Sequence, residues 1–280
     1  MTISFDLNAK EPACFIFGAG EFYGLQNKPK AGDLVIAADG GLQTLEQCRI
    51  KPDIVLGDFD SMPVAEAEKI AGNLLPERWL QNGSTEHAET AAAMAGAAMT
   101  EKRKPNASSQ RNALPEEKNN ALKTIEAGAE QEKEMSFVRL SETKDRSDSA
   151  AAILLGEARG YRRFYLYGCT GGRLDHTLAS VQDIAALSIR GCTAYLFDKN
   201  AVLTALHKAS LVFPAGMRGS ISVFSHSDCC SGVRESGLKY IVADHQLNNV
   251  FPLGLSNEFT SLPASVSVAE GTLVLYIGKQ

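Results

Sequence analysis

The chain has 280 residues, 44% of them hydrophobic, which is enough to fill one large core or two ordinary ones. A formal charge of -5 and a pI near 5.6 argue against a nucleic-acid or anionic-membrane partner, since those surfaces attract Lys/Arg-rich patches. No apolar run approaches the roughly 18 residues of a membrane span, and Met1 to Lys10 lacks the basic start and apolar core of a secretory signal, so the expected location is the cytoplasm.

Ala13 to Phe17 reads as a buried strand running into Gly18-Ala19-Gly20, with Gly24 beyond. Two readings of these glycines stand side by side: backbone amides facing a phosphate, or a tight turn. Leu34 to Ala38 is the next strand, ahead of Asp39-Gly40-Gly41, and Leu42 to Cys48 is helical. Pro52 opens a strand whose apolar run, Ile54 to Leu56, precedes Asp58 and Asp60. From about Asn82 to Met135 the composition shifts to Ala, Glu, Lys, Asn and Gln with Pro105 and Pro115. Such a segment buries little surface and reads as a mobile, solvated insertion with room for a helix over Glu86 to Met99. The sole tryptophan, Trp79, stands before it and is expected in a core in preference to a stacking surface for a ligand.

The fold resumes at Phe137 to Leu140. Lys144-Asp145-Arg146-Ser147-Asp148 leads into an amphipathic helix, Ser149 to Arg159, which Asp145 or Ser147 can cap and Gly160 can terminate. Phe164 to Tyr167 is a strand before Gly171-Gly-Arg-Leu-Asp-His176, Leu174 to Ile189 is a helix, and Ala194 to Phe197 is a further strand. This alternation predicts a doubly wound, mostly parallel α/β domain over 1–200. Beyond Asn200 the β-rich runs at Ser210–Phe213, Ser220–Phe224, Tyr240–Val242, Val266–Val268 and Thr272–Ile277 predict an all-β domain over 201–280, with Glu270-Gly271 as a hairpin turn.

Four apolar strands thus end in acidic loops. An open parallel sheet brings the carboxyl ends of its strands to one edge, where ligands bind. Carboxylates gathered there repel by about 4 kcal/mol per pair at about 4 Å and an effective dielectric near 20, so a cation is implied. Hard oxygen donors without paired Cys or His favour Mg²⁺, which is usually shared with substrate phosphates, and the substrate class suggested is a nucleoside polyphosphate. The cysteines at 14, 48, 169, 192, 229 and 230 have no metal-ligand spacing, and most of them read as small buried hydrophobes. Cys169, beside the glycine turn, is the one candidate nucleophile, with His176 as its base.

Taken in order, Asp39-Gly-Gly41, Gly57-Asp-Phe-Asp-Ser61, Lys144-Asp-Arg-Ser-Asp148, Gly171-Gly-Arg-Leu-Asp-His176, Gly237-Leu-Lys-Tyr240 and Ser256-Asn-Glu258 closely resemble the thiamine pyrophosphokinase family over nearly the whole chain. The resemblance implies an α/β catalytic domain, a C-terminal β-sandwich, a homodimer, and transfer of a diphosphoryl group from ATP to thiamine with release of AMP. It implies Asp58, Asp60 and Asp148 around Mg²⁺ and the triphosphate, with Asp175 as a further catalytic residue. Asp39, Gly40, Lys144, Asp145, Ser147, Arg173 and His176 would line the ATP phosphates, and Ser256 and Asn257 would lie near thiamine, with the other subunit completing the pocket. Asp175 either orients Arg173 or joins the metal site, and His176 either acts as a general base or serves as scaffold. Two departures stand out: Ser147 replaces the family's usual threonine, and the 82–135 insertion enters before the lysine-aspartate motif. Asp58-Phe-Asp60 also superficially fits the nucleophile motif of haloacid-dehalogenase-type phosphatases, although Ser61 and Met62 depart from it. A non-catalytic thiamine or nucleotide sensor is the remaining alternative.

Overall fold

The computed structural model describes residues 1–57, 135–139 and 147–279. After a short strand at Thr2–Ser4 (β1), the chain enters Cys14–Phe17 (β2), Leu34–Ala38 (β3) and Ile54–Gly57 (β4), each buried at every residue. Runs of Val, Ile, Leu, Phe and Ala without polar alternation suit strands covered on both faces. Ser136–Arg139 (β5), Arg163–Tyr167 (β6) and Thr193–Phe197 (β7) complete a parallel set in the order β7-β6-β2-β3-β4-β5.

Helix Gly41–Cys48 (α1) packs against β2 and β3, and its Leu45 enters an aromatic cluster with Phe15, Phe17, Tyr165, Tyr167 and Phe197. In that cluster Tyr167 stacks on Phe17 at 5.3 Å and on Phe197 at 4.2 Å, tying three neighbouring strands by contacts worth about 0.5–1.5 kcal/mol each beyond their burial. Helices Asp148–Ala158 (α2) and Leu174–Ile189 (α3) fill the other side with Ile153, Leu155, Ile184 and Leu187 against Ile16, Ile36 and Leu166. Ser147 caps α2, its hydroxyl accepting from the Ala150 amide at 3.2 Å, so of the two expected caps this one is seen. Asp145 lies outside the described residues, as do Trp79 and the segment Glu86 to Met99 where a helix is expected.

Eight more strands follow: Ala201–His207 (β8), Ser210–Phe213 (β9), Ser220–Ser225 (β10), Cys229–Ser236 (β11), Val242–Asn248 (β12), Gly254–Glu258 (β13), Ala264–Ser267 (β14) and Thr272–Gly278 (β15). The sheet continues past residue 200, for β8 turns back antiparallel on β7 and the order runs on through β15 and β10 to β13, making ten strands. A five-stranded sheet, β1-β9-β14-β11-β12, packs on its far part, and Leu206, Val223 and Leu275 of the first sheet meet Phe213, Val233 and Val266 of the second. The whole is a mixed, sheet-rich α/β fold.

The expected hairpin at Glu270-Gly271 is not one. Its flanking strands belong to different sheets, β14 pairing with β9 and β11 while β15 pairs with β8 and β10, so the turn carries the chain from one sheet to the other. Turn chemistry reports where a chain reverses and not what its strands pair with. Gly271 is held at φ 93, where a Cβ would meet Cys230 Sγ at 2.7 Å. Among the described residues no helix is long and apolar enough to cross a membrane.

Asp183 on α3 is largely withdrawn from water, and this burial pushes its carboxyl up to about 6. Arg190 offsets only part of the effect, since its guanidinium is held by Glu157 at 2.7 and 2.8 Å. A raised carboxyl favours the folded state where it is protonated, so this contribution is complete below the unfolded value near 3.9 and is lost as pH rises through about 6. Asp183→Asn is therefore expected to raise stability at pH 8 by on the order of 2 kcal/mol and to have little effect near pH 4. Urea unfolding of both proteins at the two pH values checks this; equal differences at both would refute it.

Candidate active site

The order of the parallel strands reverses at β2, which has β3 on one side and β6 on the other, so the connections from β2 to β3 and from β6 to β7 run in opposite directions along the sheet. A crevice of about 750 Å³ opens there, lined by Ala19–Glu21 after β2, Asp39 after β3, Gly168–Gly172 after β6 and the first turns of α2 and α3. All three described helices begin at this edge, so the partly positive ends of α2 and α3 border the crevice, an arrangement that favours anions.

The glycines after β2 serve close packing. The amides of Gly18, Gly20 and Glu21 donate to the carbonyls of Tyr167, Gly168 and Thr170 at 2.8, 2.7 and 2.9 Å, locking the β2 loop to the β6 loop. A Cβ on Gly20 would fall 2.5 Å from the Thr170 carbonyl oxygen, so these two loops can approach only because the side chain is missing. Between the two expectations for this turn, amides on phosphate or a tight backbone, the hydrogen bonds favour the second.

Asp39 stands at the end of β3 in the left-handed region, φ 51, with its amide bonded to the Leu56 carbonyl at 2.8 Å. Aspartate tolerates this conformation better than most residues. Gly40 is the N-cap of α1, and a Cβ there would lie 3.1 Å from that of Ala19. Gly41 begins the helix directly on β2, where a Cβ would sit 1.8 Å from the Phe17 carbonyl oxygen. The Asp-Gly-Gly sequence thus sets the carboxylate at the crevice and lets the helix start without a clash.

From the opposite wall, Arg173 reaches Asp175 through Nε at 3.2 Å and Nη2 at 2.6 Å. The pair is open to water, and the guanidinium holds the Asp175 carboxyl below the usual carboxylate range. Two of the five guanidinium N–H groups are used in this way, leaving donors for a phosphate oxygen while Asp175 fixes the orientation of the fork. Asp175 also accepts from the His176 amide at 3.0 Å.

Asp39, Ser147, Asp148, Arg173, Asp175 and His176, far apart in sequence, therefore line one crevice. Asp58, Asp60, Lys144 and Asp145 lie outside the described residues. Ser256 and Asn257 are elsewhere, on β13 at the edge of the ten-stranded sheet. Ser256 is exposed, whereas Asn257 is buried with its amide bonded within the protein. Glu21 lines the crevice without having been expected there. Its carboxylate accepts from the Tyr23 hydroxyl at 2.8 Å and the Gly172 amide at 3.1 Å, bridging the β2 and β6 loops, a role that no local pattern announces.

Hard oxygen donors line this crevice, and Asp39 and Asp148 face it from two sides. That donor set suits Mg²⁺, which is commonly bound by one or two carboxylates and completes its octahedron with water and substrate oxygens. Among the described residues no three His, Cys, Asp or Glu side chains converge closely enough to hold an ion by themselves.

Three-dimensional comparison finds several solved structures of similar fold. Thiamine pyrophosphokinase from Bacillus subtilis matches 96% of this chain and 99% of its own at 18% identity and a TM-score of 0.65. The thiamin pyrophosphokinase of Geobacillus thermodenitrificans matches 96% and 98% at 19% identity and a TM-score of 0.64. That of Candida albicans matches 100% and 93% at 14% identity and a TM-score of 0.59. No protein-family model and no curated protein matches by sequence. At these identities the likeness is one of fold.

Cys169 closes the floor of the crevice, buried beside Ser149, with burial pushing its thiol up to about 11. A nucleophilic cysteine needs the thiolate, which this site disfavours. Iodoacetamide at pH 8 is expected to label exposed Cys229 and spare Cys169, read by peptide mass spectrometry; rapid labelling of Cys169 in the folded protein would reverse this conclusion.

Proposed function

We propose that this chain is a thiamine pyrophosphokinase, transferring the diphosphoryl group of ATP to the hydroxyl of thiamine to give thiamine diphosphate and AMP. The observation that carries the proposal is the meeting of Asp39, Asp148 and the Arg173–Asp175 pair at the reversal point of a sheet whose fold is shared with solved thiamine pyrophosphokinases. An acidic crevice bordered by two helix N-termini suits a polyphosphate carried with a cation better than either a bare anion or a neutral ligand.

In the proposed reaction the thiamine hydroxyl oxygen forms a bond to the β-phosphorus of ATP, the bond from that phosphorus to the oxygen bridging it to the α-phosphorus breaks, and AMP leaves with the electron pair. The hydroxyl proton passes to solvent or to a nearby base. Asp39 and Asp148, joined by Asp58 and Asp60, would hold Mg²⁺, which when bound neutralises charge on the phosphates. Arg173, aimed by Asp175, binds a phosphate oxygen with its remaining donors and keeps the chain in line for attack. Lys144 and Asp145 belong to the same phosphate region on this reading, together with Gly40 and Ser147. His176, exposed at the crevice beside Asp175, is the candidate base.

The reading assigns ATP and Mg²⁺ to a doubly wound unit over 1–200 and thiamine to a β-sandwich unit over 201–280, in a cytoplasmic enzyme. Thiamine would lie beside Ser256 and Tyr240 of one subunit, where an exposed aromatic residue suits a cationic thiazolium, with the other subunit completing the pocket and presenting its crevice to the thiamine hydroxyl. A homodimer fits the edge formed by β12 and β13, where Ile241, Val250, Phe251, Leu253 and Leu255 are all exposed. Apolar side chains gathered at one edge mark an association surface.

Purified protein incubated with ATP, Mg²⁺ and thiamine is expected to yield AMP and thiamine diphosphate in equal amounts by chromatography, and neither without thiamine. Asp148→Asn should fold normally and lose on the order of 10²–10³ in kcat, as for removal of a charge-stabilising group. Inorganic phosphate released without thiamine would point instead to a phosphatase, and ligand binding without turnover to a sensor. Phe251→Asp should shift the protein from dimer to monomer in sedimentation velocity; a wild-type monomer would remove the dimer from the proposal.

A further inference from the structure

A second polar cluster lies away from the crevice, inside the packed pair of sheets. Glu235 on β11 is 3% exposed and Asn257 on β13 is 5% exposed, and these strands belong to different sheets. The Asn257 amide nitrogen donates to Glu235 Oε2 and to the Tyr240 carbonyl, both at 2.8 Å. Its oxygen accepts from the amides of Tyr240 at 3.0 Å and Glu258 at 2.9 Å. Both N–H groups and both lone pairs of the side-chain amide are thereby used, and none is left for a ligand. Tyr240 lies between the strands, and Asn257 satisfies both of its main-chain groups as a neighbouring strand would.

Burying a carboxylate is unfavourable, and burial holds the Glu235 carboxyl above its ordinary range. The Asn257 bond compensates for only one of its oxygens. What the pair secures is the main chain at Tyr240, a residue that remains 59% exposed, with the Lys239 ammonium 5.6 Å from the centre of its ring. The turn beside it is equally constrained: Ser256 stands at φ 63, with its amide bonded to Ser222 Oγ at 3.0 Å.

We infer that Glu235 and Asn257 are positioning residues for thiamine, holding the Tyr240 ring where the thiamine cation stacks, and that Asn257 does not itself touch the ligand. This inference rests on the thiamine reading given above and concerns how that site is built. Its test is steady-state kinetics of the full-length protein with thiamine and ATP varied separately. Glu235→Ala leaves one Asn257 N–H without its partner and is expected to raise the thiamine KM about tenfold while the ATP KM stays within about twofold. Glu235→Gln keeps an acceptor for that N–H and should return the thiamine KM to within about twofold of wild type. In a Tyr240→Ala background, Glu235→Ala should add nothing, because the ring it positions is gone.

A merely structural role would lower the melting temperature and the active fraction while leaving both KM values alone, and that result overturns the inference, as does an equal rise in both. Full additivity with Tyr240→Ala overturns it too. If Glu235→Ala does not fold, Asn257→Ser replaces it in the same three comparisons. Wild-type protein that makes no thiamine diphosphate would sink the functional reading itself and the positioning role with it, whereas an active wild type with unmoved KM values in the variants would sink the positioning role alone.

Discussion

The parallel pairing of β2 with β3 on one side and β6 on the other is the constraint on which the rest depends. The chain leaves β2 toward β3 and leaves β6 toward β7, in opposite directions along the sheet, and the space beyond the start of those loops is where a ligand can approach the carboxyl ends. Everything at that edge answers to the same geometry. The β2 and β6 loops are drawn together by Gly18, Gly20 and Gly168 until their backbones hydrogen-bond, and α1 starts so near β2 that only glycine fits at position 41. Packing below and vacancy above are two sides of one arrangement: the aromatic ladder of Phe17, Tyr167 and Phe197 anchors the strands whose ends frame the crevice.

Charge is the second theme. Carboxylates brought together at a sheet edge are a liability unless something positive answers them, and the chain supplies part of that answer itself. Helix starts contribute partial charges, and Arg173 is tethered by Asp175 with donors in reserve. Asp39 and Asp148, which line the crevice from two sides, are oxygen donors of the kind a divalent cation takes.

Legibility in the sequence followed burial. The strands at Leu34–Ala38, Cys14–Phe17 and Arg163–Tyr167 are continuous apolar runs because both their faces are covered, and a reading by composition finds them to within a residue. Helix Leu174–Ile189 was likewise readable from end to end. β8 was missed because Ala-Val-Leu-Thr-Ala-Leu-His mixes helix-favouring residues into a strand, and β11 because Cys-Cys-Ser-Gly lacks the expected apolar pattern. Pairing partners were not readable at all, which is why Glu270-Gly271 looked like a hairpin. Of the residues that line the crevice, Asp39, Asp148, Arg173, Asp175 and His176 sit on recognisable turn motifs, while Glu21 does not, since its contact with Gly172 spans 151 positions. Asn257 was picked out as a ligand-side residue by motif, and only its neighbours reveal that its amide is committed to the backbone of Tyr240.

The junction of β7 with β8 has a mechanical meaning. Tyr195, Leu196 and Phe197 are laddered to Thr204, Leu203 and Val202, so the crevice and the β13 edge are stations on a single ten-stranded plate. A plate resists flexing across its ladder, because each degree of opening would stretch main-chain bonds and part the side chains packed on both faces. Parting the two ends would mean breaking the ladder between β7 and β8, so their separation is set by main-chain hydrogen bonds and not by a linker at residue 200.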